Sequence, residues 1–198
     1  MDLQKAIDNL TKRGFKTRYF ATGAEAAAAV AAELHGTTVG IGGSKTVEAL
    51  GLYETLSRDN KVFWHWKQPM EEARARAAAA AVYLCSANAI AETGQIVNID
   101  GNGNRVAATS YGHEKLYILA GVNKLTPDLD AALWRAENVA GPLNVRRFGT
   151  DLPCAKGEPK CHHCGSPHCI NRVVTILNYP SGGIGETHVI LIGENLGY

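Results

Sequence analysis

Between Phe15 and Cys85 the chain alternates between short apolar runs and small-residue helical stretches, and this rhythm narrows the fold more than any other feature. Phe15–Ala21, Thr37–Gly40, Lys61–Trp66 and Val82–Cys85 read as strands. The helices between them carry their own start signals. Thr22-Gly-Ala-Glu25 fits a capping box, and Pro69 opens an alanine-rich helix over Met70–Ala80. Strand–helix–strand units place their strands parallel, so the expected fold class is α/β: a mostly parallel sheet with helices on both faces. Leu3, Ile7 and Leu10 predict an amphipathic helix over 2–12 that Gly14 ends. Later come a strand at Lys115–Gly121, a helix at Pro127–Ala140, and two closing strands at Val173–Leu177 and His188–Ile192. The expectation is one domain over residues 1–198, with 150–172 as a cysteine-rich loop.

In such folds ligands collect beyond the carboxyl ends of the strands. Gly40-Ile-Gly42-Gly43-Ser44-Lys45-Thr46 is a strand running into a glycine-rich turn and then a helix. Free backbone N–H groups, hydroxyls and a lysine at that place suit a small anionic ligand, a phosphate or carboxylate. The plainer reading is a tight turn with Ser44 as N-cap. The run is neither a Walker A loop nor a dinucleotide fingerprint. Further on, Asn88-Ala-Ile-Ala-Glu92-Thr93-Gly94 places one carboxylate in an uncharged strand beside a glycine turn. Glu92 is therefore the candidate catalytic group, as base or nucleophile, with Gly94 beside the ligand. Its plainer reading is a solvated edge carboxylate or a cap on the Gly94 turn. Asp100-Gly-Asn-Gly-Asn-Arg105 is a strong turn signal. His65 reads as a core or edge histidine, and Arg146-Arg147 as a solvated basic face.

The second constraint is Cys154-Ala-Lys-Gly-Glu-Pro-Lys-Cys161-His-His-Cys164-Gly-Ser-Pro-His-Cys169, four of the five cysteines within sixteen residues. Four soft thiolates around a point suit zinc or an iron–sulfur cluster. The alternatives are two disulfides, a C-x-x-C redox pair, or four ordinary thiols. Pro167 argues against the long helix that a thioredoxin-like pair would open. One close pair and two single cysteines, at irregular spacing, lean toward a [4Fe-4S] cluster over zinc. His162, His163 and His168 rank behind the thiolates as ligands.

Composition excludes several functions. The net charge is +1 with Lys and Arg dispersed, which leaves no footprint for nucleic acid or an anionic membrane. No apolar run is long enough to span a bilayer, and residues 1–14 lack the apolar core of a secretory signal. A cytoplasmic chain is expected, in which thiols stay reduced and Cys85 is a small buried residue.

Taken together, Gly42-Gly43-Ser44 with Thr46, Glu48 and Gly51-Leu52, the Asn88–Gly94 and Asp100–Arg105 runs, the cysteine run and Gly193-Glu-Asn-Leu-Gly-Tyr198 resemble the lactate-utilisation (LUD) domain family. That family looks like the ribose-5-phosphate isomerases, glucosamine-6-phosphate deaminases and CoA transferases, in which the glycine loop binds phosphate or an acyl-carrying ligand. The resemblance implies a role linked to oxidation of lactate or another 2-hydroxy acid, with iron–sulfur redox partner proteins. One rival is an isomerase- or acyl-transfer-type enzyme using Glu92. The other is a non-catalytic module stapled by zinc. A homo-oligomer is compatible with all three.

Overall fold

The computed structural model describes residues 1–198. Its centre is a six-stranded, wholly parallel sheet built from β1 (Lys16–Phe20), β2 (Thr38–Ile41), β3 (Lys61–Trp64), β4 (Val82–Cys85), β7 (Lys115–Gly121) and β10 (Glu186–Ile192), in the order β1-β10-β7-β4-β2-β3. The expected α/β class therefore holds. Alternation along each strand sorts side chains to two faces. Val82, Leu84, Tyr117 and Leu119 join α2 (Gly23–Ala31), α3 (Lys45–Ala49) and α4 (Leu52–Leu56) in one core. Tyr83, Cys85, Leu116 and Ile118 face the other way, against α1 (Leu3–Lys12), α5 (Met70–Ala78) and α6 (Asn104–Ala108). The Thr22 capping box forms as expected. Gly40 is required where α5 lies on the sheet, because a Cβ there would sit 2.5 Å from the Ala77 carbonyl oxygen.

A second sheet was not legible as such. β5 (Ala89–Ala91), β6 (Ile96–Asp100), β8 (Leu125–Thr126) and β9 (Val173–Leu177) pair in the order β8-β5-β6-β9. The two closing strands thus part company: β9 runs antiparallel on β6, while β10 inserts between β1 and β7. Their composition is alike, and only long-range pairing separates them.

The helix expected over Pro127–Ala140 is also different. Asp128 caps α7 (Leu129–Arg135), the backbone widens into a π-turn over Ala136–Ala140, and α8 (Gly141–Phe148) continues from it. Pro142 has no N–H to return to the preceding turn, which favours the wider turn ahead of it. The Asn171 side-chain oxygen occupies the space where a Gly141 Cβ would lie, 2.6 Å away. No helix is long and apolar enough to cross a membrane.

Candidate functional site

The carboxyl ends of β2, β3, β4, β7 and β10 open toward one region, and the connections leaving them build it. β2 leads into the glycine loop. Of the residues expected there, Gly43 alone lines a cleft of about 290 Å³. Ser44 is turned into its own helix, its Oγ accepting from Val47 N at 3.1 Å. Lys45 pairs with Glu48 and lies 5.9 Å from the Trp66 ring centre. Gly42 N donates to Leu84 O at 2.9 Å, and Thr46 faces inward. The helix that follows has five residues, so the positive helix end expected at the loop is short.

The cleft takes its character from residues the motifs placed elsewhere. The Asp100-Gly-Asn turn and Arg105 form one wall, His65 and Trp66 beyond β3 form another, and Asn144, Arg147 and Phe148 of α8 close the third. His65 is thus a cleft residue rather than a core one. Burial, then the nearby Arg74 guanidinium, holds its imidazole below the ordinary value. Arg147 is no solvated cation either: its guanidinium lies 4.6 Å from the Trp66 ring centre and 4.1 Å from that of Phe148. Arg105 ties the floor together, donating to Ile99 O at 2.6 Å, Asn88 Oδ1 at 3.0 Å and Ser86 O at 3.4 Å.

Behind this floor lies Lys124, which sequence reasoning missed. It follows β7 and is 4 % exposed. Its Nζ donates to Ser86 Oγ at 2.8 Å, Thr46 Oγ1 at 3.0 Å and Ala87 O at 3.0 Å. Thr46 Oγ1 in turn donates to Leu196 O at 3.1 Å, so the Gly193–Tyr198 segment folds over the same strand ends. Burial first, then the Arg135 and Arg105 guanidiniums, pushes the Lys124 amine from 10.5 down to about 7. The side-chain cations of Arg105, Lys124, Arg135 and Arg147 form no ion pair with an Asp or Glu within 4.0 Å, but Asp100 lines the same cleft and accepts from the Arg105 backbone N–H at 2.9 Å, and Arg135 Nη1 donates to Tyr198 O at 3.4 Å. The region is therefore rich in positive charge that Asp100 offsets only in part, a field that favours an anion. The one signal for Lys124 was a lysine directly behind an uncharged strand.

Glu92 stands apart. It is 6 % exposed and lines neither this cleft nor the cysteine pocket. Its Oε1 accepts from Asp2 N at 2.7 Å, its Oε2 meets Lys5 Nζ at 3.2 Å, and its carbonyl accepts from Asn9 Nδ2 at 2.7 Å. The Asp2 amide, then the Lys5 ammonium, holds its carboxyl below the usual range. Gly94 has φ +90°, and its missing Cβ leaves room for Arg13, which donates to Thr93 O at 2.7 Å. Glu92 and Gly94 together anchor α1 to the β5–β6 hairpin. Glu92→Gln is therefore expected to lower the Tm and to leave phosphate affinity in the cleft unchanged. Calorimetry beside a phosphate titration checks both, and lost affinity at an unchanged Tm would place Glu92 with the ligand.

The cysteine run closes on itself. Cys154, Cys161, Cys164 and Cys169 all line one cavity of about 130 Å³, together with Glu137 and His163. All five cysteines are free thiols, and Cys85 lies apart, fully buried in the core. Burial, then its own backbone and the three neighbouring cysteines, acts on Cys154, with a net upward shift. Asn171 N donates to Cys169 Sγ at 3.4 Å. Ligand atoms of Glu137, Cys161 and His163 lie within 4.8 Å of one another. Ile170 lines both this cavity and the cationic cleft. The loop is pinned at each end: Arg146 Nε donates to Ala155 O at 3.0 Å, and Arg172 Nε to Cys169 O at 2.9 Å.

The family model of the LUD domain matches residues 3–192. No curated protein matches the chain. Among solved structures, the crystal structure of a DUF162 family protein from Deinococcus radiodurans is similar in fold, with a TM-score of 0.59 and 16% sequence identity over 96% of each chain.

Proposed function

The chain belongs to the LUD-domain family, and from that premise we propose that it serves lactate or related 2-hydroxy-acid utilisation, with an iron–sulfur centre on Cys154, Cys161, Cys164 and Cys169 beside an anion-binding cleft. The observation that carries the reading is the adjacency of the two sites. Four thiols line one cavity, and Ile170 is shared between that cavity and the cleft of Gly43, Arg105 and Arg147. The donor set fits a cluster: four soft sulfurs and an amide directed at Cys169 Sγ. When bound, such a cluster supplies one-electron transfer. Cys164 is exposed and offers the approach for a redox partner protein. The cleft's guanidiniums, Arg105 and Arg147, would hold a carboxylate or phosphate.

A second reading has its own observation. Glu137, Cys161 and His163 already lie at the spacing of a mixed-donor zinc site, and zinc there would staple the loop as a docking surface. Anaerobic purification with metal analysis separates the two. Iron with inorganic sulfide and visible absorption supports the cluster. A colourless protein with stoichiometric zinc supports the staple, and a metal-free protein sinks both.

A further inference from the structure

β9 is the outer strand of the second sheet, and no strand of the chain pairs with its far side. The hydrogen-bond alternation shows which of its groups are left open. Ala91 N donates to Gln95 O, so the odd-numbered residues of β6 turn their backbone toward β5. Ile96, Asn98 and Asp100 turn theirs toward β9, where they stand opposite Leu177, Thr175 and Val173. The N–H and C=O groups of Val174 and Ile176 therefore point outward. Their side chains are open as well, 51 % exposed for Val174 and 37 % for Ile176. Both stand beside Val97 and Ile99, on the face of the sheet that α7 covers only further in.

Proteins guard an edge of this kind with charge, proline, a bulge or brevity. The other edges of this chain are so guarded. β1 carries Lys16 and Arg18, β3 opens on Lys61, and β8 has two residues. β9, Val-Val-Thr-Ile-Leu, has no charge and no proline, and its register on β6 is unbroken.

We infer that β9 pairs with β9 of a second copy of this chain, antiparallel about a two-fold axis through Thr175. In that register Val174 exchanges both backbone hydrogen bonds with the partner's Ile176, and Ile176 with the partner's Val174. Thr175 meets its own copy in the non-hydrogen-bonded pair between them, and the Val174 and Ile176 side chains of both copies close into one apolar cluster. Self-complementarity selects a second copy as the occupant. The open groups of β9 satisfy one another with none left over, which is what a two-fold interface requires. Charge agrees with it. Arg172 stands across from Asn178, and its guanidinium is turned back onto Pro167 O and Cys169 O of its own loop. The net charge of +1 leaves little repulsion between copies. A head-to-tail array is disfavoured, because the far edge of the same sheet is the two-residue β8. β9 begins four residues after Cys169, so the pairing also holds the exit of the cysteine loop. The inference stands independently of the function proposed above.

The test is sedimentation of the full-length protein under reductant, from about 1 μM to about 200 μM, in wild type and in Val174→Lys combined with Ile176→Lys. Lysine at these exposed positions supplies the missing guard. Wild type sediments at twice the mass of one chain at the upper concentrations. The double variant stays at the mass of one chain with its Tm unchanged. A wild type that is monomeric throughout, or a dimer that survives in the variant, overturns the inference. Amide hydrogen exchange of the wild type needs no variant. The Val174 and Ile176 amides exchange about tenfold or more slowly at the dimeric concentration than at the monomeric one. Rates for these two amides that do not change with concentration overturn the inference, whatever the mass.

Discussion

Cys161→Ser is expected to abolish metal retention, from about four irons per chain to fewer than one, while Cys85→Ala keeps the full complement. The contrast follows from position. Cys161 belongs to the close C-x-x-C pair, lines the shared cavity and lies within reach of Glu137 and His163. Serine is a hard, weakly acidic ligand and does not replace a thiolate on a soft metal. Cys85 sits in β4, fully buried, and burial drives its thiol up to about 12, which keeps it protonated and inert. Residues 150–172 contain no regular element beyond the short turn at Pro153–Ala155, so the loop depends on what its cysteines hold. Metal loss should therefore also raise the proteolytic susceptibility of this loop ahead of the sheet. Iron and zinc analysis, with limited proteolysis of both variants, reads the result. Full iron in Cys161→Ser would remove the four-cysteine assignment.

The second large effect is a rise in stability between pH 7 and pH 9, by about 2–3 kcal/mol, that Lys124→Met removes. In the folded chain the Lys124 amine gives up its proton near pH 7, against 10.5 for an exposed lysine. Below pH 7 both states carry the proton, and the folded state bears the full cost of a buried ammonium with no carboxylate beside it. Above pH 7 the folded state releases the proton while the unfolded state keeps it. The unfolded state then binds more protons, and folding strengthens as pH rises. The window closes near pH 9, where the Cys85 thiol, raised by burial, begins to act in the opposite sense. Urea unfolding at pH 7 and pH 9, with metal content held equal, compares wild type with the variant. Parallel slopes would show that Lys124 stays protonated in the fold.

Local chemistry made much of the fold legible. The Thr22 capping box, the strands Val82–Cys85 and Lys115–Gly121 and the antiparallel turn at Thr93-Gly94 each rest on residues close in sequence, and each stands where the pattern put it. The cysteine cavity was legible for the same reason, since its four thiols lie on one short loop. What could not be read from neighbouring residues depended on distance along the chain. Glu92 stands among uncharged neighbours in the sequence, and its partners Asp2, the N-cap of α1, and Lys5, within α1, come from some ninety residues away. His65 and Arg147 looked like core and surface, and both line the cleft because β3 and α8 converge on Gly43.

The sequence by itself determined the alternation of elements, hence a parallel sheet, and it gathered four thiols on one loop. Periodicity, capping and side-chain softness are properties of neighbouring residues. Only the tertiary structure decided that β9 and β10 join different sheets. It also decided that Lys124 is buried beside Arg105 and Arg135 with no carboxylate paired to it, and that His113 and Arg74 line one pocket. Burial and the placing of counter-charges are set by what packs from elsewhere, and those two conditions perturb lysine and histidine side chains that look ordinary in the sequence.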